Sequence, residues 1–131
     1  MKLFLTFKQW ALLLGCSLMI QWQAMALTNT QVTGQITNAR NGDQLSIVVN
    51  HRYLDQDVST YRAELRSDGK YSIELELNEA QYVRLQFNGQ QQVIYLEPSE
   101  PIRINFNGQN FRYTLQFFGK YADNNNLLAQ Y

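Results

Sequence analysis

The sequence is poor in cysteine, proline, histidine and charge. Among its 131 residues it has one cysteine, two prolines and one histidine, and only 17% of the residues are Asp, Glu, Lys or Arg. The cysteine, Cys16, lies near the N-terminus, so the chain beyond it can form no internal disulfide, no thiolate nucleophile and no cysteine-based metal site. The net charge of +0 gives no electrostatic reason to expect a nucleic acid or an anionic membrane as partner.

Residues 1–26 have the pattern of a secretory signal peptide. Lys2 and Lys8 give a positive start, residues 11–20 form an apolar run, and residues 24–26 (Ala-Met-Ala) form a small-x-small cleavage site. The run is shorter than the roughly 20 residues that a membrane-spanning helix needs. We therefore expect a secreted or periplasmic protein.

Two alternatives to a cleaved signal remain open. Gly15-Cys16 offers a place for lipid attachment, which would make the protein a membrane-bound lipoprotein. Bulky Leu14 and the apolar Leu18-Met19-Ile20 argue against lipidation, because a small residue is usual before this site and the apolar run should end at the cysteine. An uncleaved anchor is the other alternative.

Apolar and polar residues alternate through most of the chain after residue 27, which is the period of half-buried β-strands. The clearest stretch runs from Tyr61 to Leu77. We interpret it as a hairpin closed by a three-residue loop, Ser67-Asp68-Gly69, with Gly69 left-handed, because this loop places Leu65 opposite Tyr71 and keeps both apolar sets on one face.

The same alternation of apolar and polar residues predicts about eight short strands. The predicted fold class is therefore all-β, an antiparallel β-sandwich. Gly34 indicates a bulge or a close approach of another backbone. Ile47-Val48-Val49 indicates either burial on both sides of a strand or a twist at a sheet edge. A second hairpin is expected around Asn107–Asn110, pairing Phe106 with Phe111 and Ile104 with Tyr113. Residues 90–97 fit two registers, one with Val93 and Tyr95 facing inward and the other with Ile94 and Leu96 facing inward.

Three segments follow from these patterns. Residues 1–26 form the signal peptide, residues 27–122 the β-sandwich domain, and residues 123–131 the start of a helical linker. Asp123-Asn124 could cap that helix, and one or two turns are marginal alone in water. We therefore expect the last residues to be loosely packed and the chain to be a truncated version of a longer protein.

The sequence carries no convincing catalytic or metal site. His51, beside Asp55 and Asp57, fits a solvated loop better than an acid–base or metal site, because no second ligand stands at strand or helix spacing. Glu64, Glu74 and Glu76 share a polar face with arginines, so ion pairing explains them better than catalysis. We expect no enzyme activity and no cofactor.

Exposed tyrosines are the best candidates for a ligand or partner surface. Tyr53, Tyr82 and Tyr95 fall on loop or outward positions. Aromatic rings with a polar tip serve both sugars and protein partners, although tyrosine is also common in strands for structural reasons.

Five short motifs occur in an order that resembles a known family: Val32–Ile36, Asn41–Asp43, Ser67–Tyr71, Ile94–Pro98 and Gly119–Asn125. They look like the β-sandwich domain of unknown function at the N-terminus of secreted thioredoxin-like (TlpA-type) thiol–disulfide oxidoreductases of Bacteroidetes-like bacteria. In that family a helical linker and a Cys-x-x-Cys thioredoxin fold follow. This sequence has neither, so the redox activity cannot be carried over. Ser99 also stands where the family often has glycine.

Two functions remain open from the sequence. The resemblance implies an exported, non-catalytic accessory domain whose partner is a thioredoxin-like domain or another envelope protein. The alternative is a carbohydrate- or surface-binding β-sandwich that uses the outward tyrosines.

Overall fold

The computed structural model describes residues 28–51 and 57–131 of the chain. In these residues the chain forms eight strands and two short helices. They are β1 (Thr28–Thr37), β2 (Leu45–Asn50), β3 (Val58–Arg62), β4 (Lys70–Leu77), β5 (Gln81–Phe87), β6 (Gln90–Leu96), β7 (Ile102–Asn107), α1 (Phe111–Thr114), β8 (Gln116–Phe118) and α2 (Ala122–Ala129). The predicted signal peptide, Cys16 and Tyr53 lie outside the described residues.

The strands form two four-stranded sheets, ordered β4-β1-β7-β8 and β3-β2-β5-β6. Every pairing is antiparallel except that between β1 and β7, which is parallel. The inward residues of both sheets form one apolar core. Phe87 of one sheet meets Phe106 of the other edge-to-face, with ring centroids 4.9 Å apart. The prediction of an all-β sandwich is confirmed.

The burial pattern confirms the predicted faces. Along β4, Tyr71 and the three alternate residues that follow it are buried, and the residues between them are exposed. Ile47, Val48 and Val49 are all buried, so β2 is covered on both sides. The open register of β6 is decided in favour of Ile94 and Leu96, which point inward.

The predicted hairpin from Tyr61 to Leu77 is confirmed at its three-residue loop, where the Arg66 N–H donates to the Lys70 carbonyl at 2.9 Å, but the predicted pairing of its strands is wrong. β3 pairs with β2 in one sheet, whereas β4 pairs with β1 in the other. The Ala63 N–H donates to the Leu45 carbonyl at 2.9 Å, and the Ile36 N–H donates to the Gly69 carbonyl at 2.9 Å, so the chain crosses between the sheets in residues 63–69. Gly69 has φ 82, so its predicted left-handed conformation is confirmed.

The second predicted hairpin is also wrong in its pairing. Residues 111–114 form the helix α1 instead of continuing a strand, and Tyr113 is 83% exposed. The helical turn is held by Thr114, whose hydroxyl accepts the Asn107 N–H at 2.9 Å. As a result Ile104 pairs with Phe117 and not with Tyr113.

Gly34 lies where two backbones approach closely, as predicted. A Cβ atom at this position would stand 1.8 Å from the Ile104 carbonyl oxygen on β7. The Tyr71 hydroxyl donates to the same oxygen at 2.6 Å. Burial of the Tyr71 phenol raises its pKa, and no side chain larger than hydrogen fits at position 34 while this contact is kept.

Ser99 adopts the conformation that its glycine-like position requires. It has φ 65, in the left-handed region that favours glycine. Its N–H donates to the Thr30 hydroxyl at 3.2 Å, and that hydroxyl donates to the Glu97 carbonyl at 3.2 Å. Thr30 is fully buried, so the turn between β6 and β7 is fixed to β1.

The predicted C-terminal helix is present as α2, but the expectation of loose packing is wrong for its first turns. α2 packs against β6 and β8, and Asn125 within it is fully buried. Tyr131, beyond the helix, is 92% exposed. None of the helices in the described part of the chain is long and apolar enough to cross a membrane.

Replacing Leu75 tests the face assignment of β4. Leu75 is 1% exposed, so Leu75→Ala should lower the free energy of unfolding by about 2–5 kcal/mol through lost burial and a cavity. Glu76→Ala, the matched control on the exposed face, should change it by no more than roughly 0.5 kcal/mol. Urea denaturation measures both variants, and equal shifts of the midpoint would contradict the assignment.

Candidate functional site

Tyr82 and Tyr95 lie side by side on the outer face of the β3-β2-β5-β6 sheet. They are direct partners across β5 and β6, and their ring centroids are 5.5 Å apart. The inward positions of both strands are taken by Val83, Leu85, Ile94 and Leu96, so the alternation forces the two tyrosines outward. Tyr82 is 64% exposed.

A third tyrosine joins them from the turn that begins α2. The Tyr121 ring meets the Tyr95 ring edge-to-face, with centroids 5.5 Å apart and an interplanar angle of 81°. Tyr82, Tyr95 and Tyr121 therefore form a continuous row, which we call the tyrosine cluster. Edge-to-face geometry is the arrangement that aromatic quadrupoles favour.

Glu97 connects two members of the cluster. The Tyr95 hydroxyl donates to Oε1 of Glu97 at 2.8 Å, and the Tyr121 hydroxyl donates to Oε2 at 2.5 Å. Both phenolic protons are therefore directed at one carboxylate. Lys120 lies 5.5 Å from the Tyr121 ring centroid and 3.7 Å from a Glu100 oxygen.

These hydrogen bonds shift the pKa of each partner in the expected direction. The Glu97 carboxylate accepting its proton raises the pKa of Tyr95 to about 12, and the same carboxylate raises the pKa of Tyr121. The hydroxyls of Tyr121 and Tyr95 in turn lower the pKa of Glu97. The cluster is therefore most stable with neutral phenols and an ionised carboxylate.

The side-chain amide of Asn125 fixes α2 to β6 at Tyr95. Its Oδ1 accepts the Tyr95 N–H at 2.6 Å, and its Nδ2 donates to the Tyr95 carbonyl at 3.0 Å. Nδ2 also lies 3.3 Å from the Tyr121 carbonyl. One buried amide therefore sets the relative positions of Tyr95 and Tyr121.

The tyrosine cluster and α2 line an open groove of about 480 Å³, which we call the tyrosine groove. Its other lining residues are Asn124, Leu127 and Leu128. The rings offer flat apolar surfaces, and the hydroxyl oxygens of Tyr95 and Tyr121 keep lone pairs that can accept hydrogen bonds. The groove can therefore bind a ligand with an apolar face and several hydroxyl groups.

The structure brings together two of the three tyrosines that the sequence singled out. Tyr82 and Tyr95 are neighbours, while Tyr53 falls outside the described residues. Tyr121 and Glu97 were missed. Nothing in a local pattern places residue 121 beside residue 95, whereas Glu97 follows Tyr95 by two residues and lies on the same face. The sequence signal for Tyr121 was its position in one of the motifs that carry the family resemblance, and for Glu97 it was the spacing of two residues from the outward Tyr95.

The other candidates do not form a site in the described residues. The His51 Nε2 lies 2.9 Å from the Ser59 hydroxyl, and Asp55 is outside the described residues. Glu64, Glu74 and Glu76 are all exposed. In residues 28–51 and 57–131, no group of three or more His, Cys, Asp or Glu side chains could hold a metal ion.

Comparison with known proteins gives little guidance. No family model matches the sequence, and no curated protein matches it. A similar solved structure is that of a "putative cell adhesion protein" from Bacteroides ovatus, with 10% identity and a TM-score of 0.43 over 72% of this chain. The chain spans only 43% of that structure.

Titration of Tyr95 tests the geometry around Glu97. We expect the Tyr95 phenol to ionise near pH 12, measured from the pH dependence of its ring carbon shifts by NMR. Because the folded pKa lies above the ordinary value of 10, this phenol's contribution to stability should be intact below pH 10 and lost as the pH rises toward 12. Glu97→Gln should move the Tyr95 pKa back toward 10, since the negative charge is removed. An unchanged pKa in this variant would contradict the bridging role of Glu97.

Proposed function

We propose that this protein is an exported, non-catalytic binding module that recognises carbohydrate through the tyrosine groove. The observation that carries the proposal is the Tyr82 ring, which is 64% exposed, lies beside the Tyr95 ring and lines a groove. Export, to the periplasm or beyond the cell, is supported by the signal-like pattern of residues 1–26.

The chemistry of the groove suits a sugar. A pyranose has an apolar face of C–H groups and a rim of hydroxyls, and a tyrosine combines an apolar ring with a polar tip. The hydroxyls of Tyr95 and Tyr121 donate to Glu97, so their oxygens accept hydrogen bonds from sugar hydroxyls. Asn124 lines the same groove and adds an amide that both donates and accepts.

The size of the groove also favours a small ligand. Its volume of about 480 Å³ lies within the range of roughly 300–1,000 Å³ that is common for small-molecule sites. A stable protein partner commonly covers about 800 Å², or roughly 20–30 residues, on each side of an interface. Six described residues line the groove, so the groove alone is smaller than such an interface. A sugar unit stacked on Tyr82 fills the groove without a larger surface.

Removing the Tyr82 ring tests this proposal. Glycan-array screening followed by calorimetry should find a saccharide that binds the protein. Tyr82→Ala should weaken that binding by about tenfold or more, because the stacking surface is lost. The matched control is Tyr113→Ala, since Tyr113 is 83% exposed but belongs to α1 and lines no part of the groove. Equal loss in both variants, or no saccharide that binds, would contradict the proposal.

A second candidate is an accessory role beside a thioredoxin-like oxidoreductase. The observation that favours it is the meeting of two motifs of the family resemblance at the tyrosine cluster. Tyr95 and Glu97 come from Ile94–Pro98, and Tyr121 and Asn125 come from Gly119–Asn125. In this case the tyrosine cluster is the surface that docks the redox partner.

Mixing experiments distinguish the second candidate from the first. If it is correct, the protein should co-sediment with a purified periplasmic thioredoxin-like domain or change that domain's disulfide-reducing rate. Tyr82→Ala should weaken the effect by about tenfold, since tyrosines at interface centres contribute strongly, and Tyr113→Ala should not. Unchanged sedimentation together with an unchanged rate would count against it.

A further inference from the structure

A second groove lies on the outer face of the other sheet, β4-β1-β7-β8. It encloses about 520 Å³, and three cationic side chains line it: Arg66, Lys70 and Arg103. Arg66 lies in the segment before β4, Lys70 is the first residue of β4, and Arg103 lies on β7. Glu64 is the one carboxylate among the lining residues that the structure describes, so these four side chains carry a net charge of +2. We call this the cationic groove.

The positive charges are only weakly compensated. Arg66 lies 4.0 Å from Asp68, with the two side chains 73% and 43% exposed, so the pair is screened by solvent. In the described part of the chain, Lys70 and Arg103 have no carboxylate within ion-pair distance. Asp68 is still near Lys70, because the Lys70 backbone N–H and the charges of Arg66 and Lys70 lower the Asp68 pKa. The Arg103 guanidinium is instead held over the Phe118 ring, 4.4 Å from its centroid. This stacking orders the guanidinium before any ligand arrives.

Neutral donors stand between the cations. The Oδ1 of Asn105 accepts the Gln35 N–H at 2.9 Å, which leaves the Asn105 NH₂ group to donate toward the groove. The Ser72 hydroxyl accepts from the Gln31 amide at 3.3 Å, which leaves its own proton to donate. Ser72 and Asn105 both line the groove. Its hydrogen-bonding groups are therefore mainly donors.

Such a set of groups matches an oxyanion. Arginine presents a planar fork that fits a carboxylate or sulfate with two parallel hydrogen bonds, and lysine adds a point charge. The groove is larger than a free inorganic ion needs, and hydroxyl and amide groups surround the cations. A ligand that fills it carries the anion on a polyhydroxylated body.

We propose that the cationic groove is a binding site for an acidic sugar unit, whose carboxylate or sulfate binds to the cationic side chains that line the groove. The proposal does not depend on the tyrosine groove, because the two grooves belong to different sheets. It assigns opposite outer faces of the sandwich to two kinds of ligand chemistry.

The test is an NMR titration of the ¹⁵N-labelled protein at constant ionic strength with three probes: galacturonate, glucose 6-sulfate and glucose. We expect saturable amide shifts at Gln35, Lys70, Ser72 and Asn105 with one or both anionic probes and none with glucose. The double variant Lys70→Gln/Arg103→Gln should weaken this binding by about tenfold or more, since charge-assisted hydrogen bonds are lost. The double variant Arg40→Gln/Arg112→Gln removes the same charge from exposed positions elsewhere and should change the affinity by less than about twofold.

Each outcome decides the question. Binding of galacturonate alone, sulfate alone or both identifies the source of the anion and supports the site. Equal weakening in the two double variants would mean a non-specific charge effect and would overturn it. Shifts of the same size with glucose, or no saturable shift with either anion, would also overturn it. None of these results bears on the tyrosine groove, which Tyr82→Ala tests separately.

Discussion

The close contact between β1 and β7 at Gly34 is the constraint on which the first sheet depends. β1 is a central strand, with β4 antiparallel on one side and β7 parallel on the other. The Ile104 carbonyl oxygen occupies the space that a Cβ of residue 34 would need, and the Tyr71 hydroxyl binds that oxygen from β4. Three neighbouring strands are therefore joined at one atom, and the core residues on either side of it follow this register.

The faces of the strands could be predicted from sequence, but their partners could not. An alternation of period two says which residues point inward, and it holds for β4 and β5 as expected. It does not say which strand lies alongside. Leu65 and Tyr71 have the correct parity for a hairpin, and equally for two strands in different sheets. In the structure β3 and β4 belong to different sheets, because β4 pairs with β1 and completes the sheet around it.

The same limit applies to the site. Tyr82 and Tyr95 could be found because outward aromatic residues stand out against an alternating strand. Glu97 follows Tyr95 by two residues, so the same alternation places it beside Tyr95. Tyr121 could not be found, since its contact with Glu97 joins residues 24 positions apart in sequence through the docking of α2. Short helices add a further limit. Phe111–Thr114 alternates like a strand, yet the Thr114 hydroxyl stabilises a helical turn that local alternation does not reveal.

The amide of Asn125 has a consequence for how this protein behaves among other copies of itself. β6 is the outermost strand of its sheet, and an outermost strand offers unpaired N–H and C=O groups to any other chain. By taking both backbone groups of Tyr95, Asn125 imitates one residue of a neighbouring strand. That position is closed to edge-to-edge pairing, so we expect the contact that orients the tyrosine cluster also to keep the β6 edge from pairing with another copy at Tyr95.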